Sequence, residues 1–259
     1  MGDGAPDVSP SASHGSVHVV ADHESMSKLA ASLITESVRR LTAEHPAGAL
    51  RVVLSAGNTP LRAYELLATD PKCEFDWSTV HLYQMDEYVD LVGAAPDFCR
   101  LLLDRVVGPL GIQKTSLLDR QTIAAGCSDW QRAITGHERT LVGDGGIDLV
   151  VHGIGSNGHL GFNEPGSDPL SAGRLVEFTE CTRRSLPPGP RPTCGVTLGL
   201  GVLLAARESI LLASGSEKAA AVARVLHGPV ANDCPASWLR LARHTNVVVD
   251  RAAAGWPET

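Results

Sequence analysis

The residues best suited to proton transfer lie in a glycine-rich stretch, Gly153–Gly161. It follows an apolar run, Ile147–Val151, which predicts a strand buried on both faces of a parallel sheet. Glycines at the carboxyl end of such a strand let the chain turn sharply and let a ligand approach the backbone. His159 lies in this turn and Glu164 follows five residues later, which is a suitable pair for accepting and donating a proton near neutral pH. From this stretch alone, a hydrogen-bonded structural histidine is an equally good interpretation.

A second stretch, Ser55–Thr59, has the composition of an anion-binding turn. It follows an apolar run, Leu50–Leu54, and leads into a helix that we expect from Leu61 to about Ala68, with Thr59 as N-cap and Pro60 in the first turn. Free N–H groups and the helix dipole favour phosphate at such a helix start. The Gly-Lys-Ser/Thr signature of a nucleotide-binding loop is missing, and an ordinary turn between strand and helix is the alternative.

Charged residues follow two more predicted strands. Asp86 and Glu87 come after the predicted strand Thr79–Gln84, and Lys218 follows the predicted strand Ser209–Ala213, just before a helix. Neighbouring residues of a strand point to opposite faces, so we expect only one of the two acids to face a site. The alternative for either acid is a solvated loop position. Two helix starts and an ammonium group together are able to hold one phosphate.

Alternating strand and helix patterns predict the fold class: an α/β, Rossmann-like, doubly wound and mainly parallel sheet flanked by helices. Residues 1–15 show no periodicity and are predicted to form a disordered tail, while residues 16–259 are predicted to form a single domain. The proline-rich segment Pro169–Arg191 predicts a loop or flap over the carboxyl-end site. The remaining predicted elements are the strands Ser16–Val20 and Thr245–Asp250 and the helices His23–Ala43, Asp97–Val107, Asp129–Val142, Val196–Ala206, Ala219–Leu226 and Ala236–Leu241.

Composition excludes several classes of function. The chain has 259 residues, 43% of them hydrophobic and 20% charged, so a packed core is expected. A formal charge of −7 argues against nucleic-acid binding and against anionic membranes. No apolar run approaches the roughly 20 residues that span a bilayer, and no secretory leader is recognisable. The six cysteines match no zinc pattern, so we expect no metal site and a reducing, cytoplasmic environment.

These segments together resemble the glucosamine-6-phosphate deaminase/isomerase family, which is related to 6-phosphogluconolactonases. The resemblance extends over about residues 16–250. It rests on Ser-Ala-Gly-Asn-Thr-Pro-Leu at 55–61, Met-Asp-Glu-Tyr at 85–88, Gly-Ile-Gly-Ser-Asn-Gly-His-Leu-Gly-Phe-Asn-Glu-Pro at 153–165 and Gly-Ser-Glu-Lys at 215–218. The third segment is highly specific. The lactonase branch lacks the Met-Asp-Glu-Tyr and Phe-Asn-Glu-Pro pieces.

The resemblance implies a cofactor-free conversion of glucosamine 6-phosphate and water to fructose 6-phosphate and ammonia. It implies that Asp86 moves the proton from C2 to C1 of the open sugar and that His159 moves protons between O1 and O5. Glu164 and Asn157 are then expected to hold the imidazole. Substrate and phosphate are expected to contact Ser55, Ala56, Gly57, Asn58, Thr59, Glu87, Gly155, Gly158, Arg184 and Lys218.

The sequence departs from the family pattern at three places. Position 157 is Asn where many relatives have Asp, so it adds no charge beside His159. The flap is short, and the phosphate-binding arginine of the family is not securely aligned; Arg184 is the first choice, with Arg183 and Arg191 behind it. Residues that bind an N-acetyl sugar activator in allosteric relatives are not recognisable, so we expect no such regulation.

Three other functions remain open at this stage: an isomerase or deaminase of another amino-sugar phosphate, a 6-phosphogluconolactonase, and a non-catalytic sugar-phosphate-binding module. A lactonase needs no proton removal at C2, so it would tolerate loss of Asp86. A binding module does not need Asp86, His159 and Glu164 together. The predicted partner is a phosphorylated amino sugar, with no nucleic acid and no membrane. The oligomeric state stays open, a homo-oligomer included.

Overall fold

The fold is an α/β sandwich in which one large sheet is covered by helices on both faces. The computed structural model describes residues 7–11, 15–44, 48–89, 97–123, 127–185 and 191–256. The strands are β1 (Asp7–Ser11), β2 (Gly15–Val20), β3 (Leu50–Leu54), β4 (Val80–Gln84), β5 (Asp86–Tyr88), β6 (Lys114–Ser116), β7 (Leu149–Gly153), β8 (Arg174–Glu177), β9 (Cys194–Thr197), β10 (Glu208–Ala213) and β11 (Thr245–Asp250). The helices are α1 (His23–Glu44), α2 (Asn58–Thr69), α3 (Phe98–Leu102), α4 (Gly108–Leu110), α5 (Cys127–Gly143), α6 (Glu180–Ser185), α7 (Leu200–Leu204) and α8 (Ala219–His227).

The large sheet has the strand order β1-β2-β11-β10-β7-β3-β4-β6. All neighbours from β2 to β6 are parallel, and β1 pairs with β2 in the antiparallel direction. The chain moves outward from β3 to β4 and β6, then returns to β7 on the other side of β3. This makes β3 and β7 the switch point of a doubly wound sheet, where ligands bind beyond the carboxyl ends of the strands. The predicted fold class is confirmed.

Alternating side chains of the central strands bury both faces of this sheet. Val52 and Leu54 of β3 belong to the core beneath α1 and α2, whereas Val53 packs on the opposite side with Ile134 of α5. Helix α1 places a continuous apolar stripe against its face of the sheet, with its members at most 2% exposed. These members are Met26, Ala30, Ile34, Val38 and Leu41.

A small antiparallel sheet lies beyond the carboxyl end of β4 and has the order β5-β9-β8. Asp86 of β5 is paired with Thr197 of β9. The prediction of a helix over Val196–Ala206 is therefore wrong at its start, because Val196 and Thr197 complete β9 and the helix α7 covers only Leu200–Leu204. Apolar content alone does not separate a short buried strand from a helix. Pairing with β5 and β8 decides the conformation.

Several boundaries differ from the predicted ones. The proline-rich flap contains β8 and α6, while positions 186–190 lie outside the described residues. Within the predicted disordered tail, β1 forms five pairs with β2. Helix α2 begins at Asn58 with Gly57 as N-cap, so Thr59 is already inside the helix. The helix predicted at Asp97–Val107 is α3 followed by a π-helical turn, Leu103–Val107, and Pro235–Leu241 is a 3₁₀-helix. Among the described residues, no helix has the length and apolarity needed to cross a membrane.

Candidate active site

The predicted site segments converge at one edge of the large sheet. The strands β10, β7, β3 and β4 are consecutive neighbours, and their carboxyl ends lead to Lys218, His159, Ser55 and Asp86, respectively. The loop after β3 is joined directly to β7: the Ser55 N–H donates to the Val151 carbonyl oxygen at 3.1 Å, and the Gly153 N–H donates to Ser55 Oγ at 3.1 Å. The seryl hydroxyl therefore links the two loops at the switch point.

The imidazole of His159 lies directly against the backbone of Gly155. A Cβ built on Gly155 would come within 2.4–2.5 Å of three ring atoms, so only glycine leaves room for the ring. The turn is closed by hydrogen bonds from the Gly155 N–H to the His159 carbonyl at 3.1 Å and from the Gly158 N–H to the Gly155 carbonyl at 2.9 Å. Gly158 has φ +91°. These two glycines shape the loop around His159, and the substrate contact expected of them stays a prediction.

A polar network surrounds the Nδ1 side of His159. Its Nδ1 lies 3.7 Å from Glu164 Oε2 and 3.3 Å from Thr182 Oγ1 of α6. Asn157 Oδ1 accepts the His159 backbone N–H at 3.1 Å, and Asn157 Nδ2 donates to Glu164 Oε2 at 2.7 Å. Asn157 thus holds the loop and the carboxylate and does not contact the ring, which refines its expected role. An aspartate at 157 would place a carboxylate oxygen against Glu164.

Glu164 is ionised over the whole range of neutral pH. Burial alone would raise its pKa, but the contacts with the His159 imidazole, Thr182 and Asn157 outweigh burial and lower the pKa of Glu164 to about 2. The Thr179 hydroxyl also donates to Oε2, at 3.1 Å. This carboxylate is a fixed negative charge beside the imidazole.

Asp86 is the second candidate catalytic group, and it is 4% exposed. Burial, with a contribution from the neighbouring Glu87 carboxylate, raises the pKa of Asp86 to about 8. Its Oδ1 is buried and has no hydrogen-bond partner among the described residues. An unpaired buried oxygen at the edge of a sheet is unusual and indicates a place for a ligand. Asp86 therefore combines the position and the pKa of a group that exchanges protons near neutrality.

Tyr64 and Thr197 lie between Asp86 and the loops after β3 and β7. The Tyr64 hydroxyl donates to the Ser55 carbonyl oxygen at 3.0 Å. Burial raises the pKa of Tyr64, and the nearby Asp86 carboxylate adds to this rise. Thr197, which pairs with Asp86 across the small sheet, accepts the Phe162 N–H at 3.2 Å. The loop that carries His159 and the strand that carries Asp86 are therefore fixed relative to one another.

Glu87 has a structural position, which corrects the expectation that it binds substrate. Its side chain is 0% exposed and faces the start of α3. The carboxylate accepts the N–H groups of Phe98 at 3.3 Å and Cys99 at 2.8 Å, Arg120 Nη2 at 3.1 Å and Gln84 Nε2 at 3.1 Å. Alternation along the strand sends the two acids to opposite sides, as predicted for this pair.

The two predicted phosphate-binding turns have open helix starts. Gly57, the N-cap of α2, makes no side-chain cap hydrogen bond, so the first N–H groups of the helix are not capped by a side chain. Lys218 is half-buried, and burial lowers its pKa while Glu217 and Cys181 oppose that shift. The turn before Lys218 is held by Asp250, which accepts the Gly215 N–H at 3.2 Å.

The flap arginines considered for the phosphate are exposed, and two of them pair within their own helix. Arg183 and Arg184 both pair with Glu180 of their own helix, at 3.2 and 3.0 Å, and their side chains are 44% and 75% exposed. Arg191 is exposed as well. The choice of Arg184 as the phosphate-binding arginine is therefore not supported by its position. A positive charge in a flap says nothing about the direction of the side chain.

Sequence reasoning missed Thr182, Thr179 and Arg120. Thr182 reaches the site from α6 and Thr179 from the position just before that helix, in a segment whose prolines indicated only a loop. Arg120 pairs with the buried Glu87. Among the described residues, no group of three His, Cys, Asp or Glu side chains is arranged to hold a metal ion.

Comparison with known proteins agrees with this geometry. Residues 21–249 match the family model described as glucosamine-6-phosphate isomerases/6-phosphogluconolactonase. The chain is 40% identical over 237 residues to a glucosamine-6-phosphate deaminase of Streptomyces coelicolor, with 88% of each chain covered. It is 40% identical over 232 residues to a protein of the same name from Streptomyces avermitilis, with 86% of each covered.

Solved structures extend the comparison to the fold. A monomeric glucosamine-6-phosphate deaminase is similar at a TM-score of 0.82 and 27% identity, covering 93% of this chain and 99% of that one. A 6-phosphogluconolactonase from Trypanosoma brucei has a TM-score of 0.75 at 20% identity, covering 96% of this chain and 99% of that one, which shows a shared fold only. The fold and site define a sugar-phosphate enzyme class. The chain belongs to the glucosamine-6-phosphate isomerase/6-phosphogluconolactonase family.

Proposed function

We propose that the protein converts glucosamine 6-phosphate and water to fructose 6-phosphate and ammonia. The observation that carries this proposal is Asp86: a buried carboxyl with a pKa near 8 and an unpaired Oδ1, at the same sheet edge as His159. Family members named glucosamine-6-phosphate deaminase, at up to 40% identity, support the same reaction.

The proposed reaction begins with ring opening by His159. The imidazole accepts the proton of the O1 hydroxyl and returns it to O5, which breaks the C1–O5 bond and leaves an open-chain aldehyde. An imidazole suits this step because it accepts and donates protons near neutral pH. The fixed negative charge of Glu164, 3.7 Å from Nδ1, stabilises the imidazolium that forms in between.

Asp86 then moves hydrogen between neighbouring carbons. It takes the proton from C2 while O1 gains a proton from the substrate's own ammonium group, which gives an enolamine; it then delivers its proton to C1, which gives an imine at C2 and a hydroxyl at C1. Water adds to this imine carbon and ammonia leaves, so the atoms balance. A carboxyl with a pKa near 8 is both an acceptor and a donor in this range, and a substrate ammonium group beside it favours the ionised form.

The phosphate is proposed to lie between the start of α2 and Lys218. In the Ser55–Thr59 turn, residues 56–59 supply backbone N–H groups at the helix start, and Lys218 supplies a positive charge from the neighbouring turn. A phosphate held at this point contributes binding energy that positions C1 and C2 against Asp86 and His159.

The lactonase activity of the wider family is the second candidate. Hydrolysis of a lactone needs no acceptor for a C2 proton, so the buried Asp86 carboxyl would have no proton to transfer in that reaction. A sugar-phosphate-binding module without turnover would likewise leave Asp86 unused. The geometry therefore favours deamination over both.

The test is a panel of phosphorylated sugars supplied to the purified chain, with ammonia, ketose and lactone hydrolysis measured in parallel. We expect ammonia and fructose 6-phosphate from glucosamine 6-phosphate, and no such turnover in the Asp86→Asn variant. Lactone hydrolysis that survives in Asp86→Asn, without ammonia release from wild type, would favour the lactonase. Another amino-sugar phosphate as the better substrate would change the substrate assignment but keep the chemistry.

We also propose that residues 16–259 act as one domain in the cytoplasm. Strands near both ends of that range, β2 and β11, are paired in the same sheet. Five cysteines of the described residues are free thiols, as suits a reducing compartment. Light scattering of the purified chain will decide between a monomer and a homo-oligomer.

A further inference from the structure

We propose that Arg174 of β8 is a positioning residue that fixes segment 159–167, which carries His159 and Glu164, against the small sheet. Asp86 belongs to that sheet, so Arg174 fixes the two candidate catalytic groups relative to one another. The inference rests on the proposed function, because it assigns His159 the ring-opening step.

The guanidinium of Arg174 donates hydrogen bonds to two side chains of segment 159–167. Nη1 donates to Asn163 Oδ1 at 2.8 Å, and Nη2 donates to Ser167 Oγ at 2.8 Å. A guanidinium has donors and no acceptor, so the direction of both hydrogen bonds is fixed. Arg174 therefore holds the segment at one position before Glu164 and at one position after it.

Asn163 extends the first of these contacts to the residue after His159. It is 0% exposed, and its Nδ2 donates to the carbonyl oxygens of Leu160 and Leu198, each at 3.0 Å. The amide has a single good orientation, because the reverse would turn its NH₂ group toward the guanidinium and its oxygen toward two carbonyls. The Asn163 side chain thus joins segment 159–167 to the residue that follows β9.

Ser167 extends the second contact to the backbone of Glu164. Its hydroxyl accepts from Arg174, so its own proton is available, and Oγ donates to the Glu164 carbonyl oxygen at 2.7 Å. The Ser167 N–H donates to the same carbonyl at 3.0 Å. The backbone that carries the Glu164 carboxylate is therefore held by a chain of hydrogen bonds that begins at Arg174.

Arg174 also lies in one row with Asp86 across the small sheet. Arg174 is opposite Thr197 of β9, and Thr197 is opposite Asp86 of β5. Side chains that are directly opposite in antiparallel strands share one face of the sheet. Segment 159–167 contacts this face, because the Phe162 N–H donates to Thr197 Oγ1 at 3.2 Å. The row thus has a guanidinium that binds the segment at one end and the candidate catalytic carboxyl at the other.

The charge of Arg174 is not used in an ion pair. Among the described residues, no carboxylate oxygen lies within 4.0 Å of its nitrogens. Its further acceptors, Ser171 Oγ at 3.0 Å and the Ala172 carbonyl at 3.4 Å, are neutral oxygens as well. Glu138 of α5 accepts the Gly199 N–H instead, at 2.8 Å. A planar fork that reaches several neutral acceptors at once fixes geometry, and a lysine cannot replace it there.

The Arg174→Lys variant tests this role, because it keeps the charge and replaces the fork by one ammonium group. We expect kcat on glucosamine 6-phosphate to fall about 10-fold or more, since a small displacement of a catalytic group is costly. KM should stay within about twofold, because the proposed phosphate turns follow other strands. Turnover of an open-chain analogue, which skips ring opening by His159, should stay within about threefold of wild type.

Ser167→Ala removes only the second contact and is a milder variant. It should lower kcat about three- to tenfold, because Glu164 loses one of the two donors to its carbonyl. Combining it with Arg174→Lys should cost less than the product of the two separate losses, since both changes interrupt one chain of hydrogen bonds. Fully multiplicative losses would show that the two residues act independently, which would overturn the proposal.

Arg51→Lys is the matched control. Arg51 also uses several nitrogens of its fork, with Nε and Nη2 at 2.8 and 2.7 Å from Asp148, but it lies near the amino end of β3, away from the proposed site. Its kcat should stay within about twofold of wild type while stability falls. Wild-type kcat in Arg174→Lys would overturn the proposal. Equal losses on closed and open substrates, or an equal loss in Arg51→Lys, would do the same.

Hydrogen exchange reads the position of the segment without any substrate. The N–H groups of Asn163 and Ser167 donate to the carbonyls of Leu160 and Glu164 at 2.9 and 3.0 Å, so they report local opening. Exchange in segment 159–167 should be about 10-fold faster or more in Arg174→Lys and unchanged in Arg51→Lys. Unchanged exchange in Arg174→Lys would overturn the inference. If wild type turned over no sugar phosphate, the proposed function would fail, and exchange would still decide whether Arg174 holds the segment.

Discussion

The imidazole ring of His159 packs directly against the backbone of Gly155. A methyl group at Gly155 would lie within 2.4–2.5 Å of Cε1, Nε2 and Nδ1 of the ring, and the ring cannot remain in place beside it. Gly155 does not have a positive φ, so its backbone conformation does not by itself require glycine. The requirement comes from the histidine alone.

The Gly155→Ala substitution should therefore inactivate the enzyme with little loss of folding. We expect kcat/KM to fall about 100-fold or more, because displacement of a catalytic group by 1 Å is enough for such a loss. The matched control is Gly136→Ala in α5, where a Cβ meets nothing within 4 Å. It should keep full activity and gain about 0.5–1 kcal/mol of stability, since alanine is the better helix residue. Full activity of Gly155→Ala would contradict the position of the imidazole.

The fold was largely predictable because its central strands are buried on both faces. β3 and β11 have the predicted bounds, and their apolar runs suffice to identify them. The helix predicted from Val196 wrongly includes the last two residues of β9, because a run of small and apolar residues suits either form and the strand depends on pairing with β5 and β8. Contacts far apart in sequence are not visible in a local pattern.

The candidate site was predictable only where its residues follow strand ends. Asp86 and His159 both lie at such ends, and the sheet brings them to one edge. Thr182 is 23 residues from His159 and belongs to a six-residue helix without an apolar stripe, so no local signal marks its contact. The orientation of the Arg184 side chain likewise depends on its ion pair with Glu180 of the same helix. The presence of an arginine in the sequence does not predict that pair.

The Asp86→Asn variant should be inactive and yet more stable than wild type at neutral pH. The pKa of Asp86 is raised from 3.8 to about 8, so its contribution to stability is complete below pH 3.8 and is lost as pH rises through 8. An amide carries no charge to bury. We expect the free energy of unfolding at pH 7.5 to rise by about 2 kcal/mol or more, and ammonia release to fall about 1000-fold or more.

Denaturant unfolding of wild type and Asp86→Asn at two pH values checks the predicted rise in the free energy of unfolding. At pH 4 the gain in Asp86→Asn should shrink, because Asp86 is then largely protonated in the unfolded chain as well as in the folded protein. Asp148→Asn is the contrasting variant: Asp148 is 1% exposed and pairs with Arg51 at 2.6 Å. Removing one partner of a buried ion pair should destabilise the protein by about 3 kcal/mol. A stability loss in Asp86→Asn at pH 7.5 would contradict the burial of an ionisable Asp86.

The Glu87→Gln variant should move the pH profile of kcat/KM rather than abolish activity. Glu87 contributes to the raised pKa of Asp86, and Asp86 must be ionised to accept the C2 proton. Loss of the neighbouring charge lowers that pKa, so the acidic limb should shift to lower pH by about one unit. Stability should fall at the same time, because the start of α3 and Arg120 lose their carboxylate. Glu177→Gln, an exposed position on β8, should leave the profile unchanged. If the acidic limb of the kcat/KM profile did not shift in Glu87→Gln, a group other than Asp86 would control that limb.

Lys218 and Arg184 should differ sharply in their effect on phosphate binding. Lys218 is half-buried after β10, next to the strand that leads to His159, whereas Arg184 is 75% exposed and pairs with Glu180. Lys218→Met should raise KM for glucosamine 6-phosphate about 10–100-fold, which corresponds to the loss of one charge-assisted contact. Arg184→Met should change KM by less than about threefold, because an exposed ion pair contributes little. Steady-state kinetics and a binding titration with fructose 6-phosphate, with unphosphorylated fructose as control, measure both. A larger effect of Arg184 than of Lys218 would mean that α6 turns its arginine onto the phosphate when substrate binds, and would reverse the assignment made from the free protein.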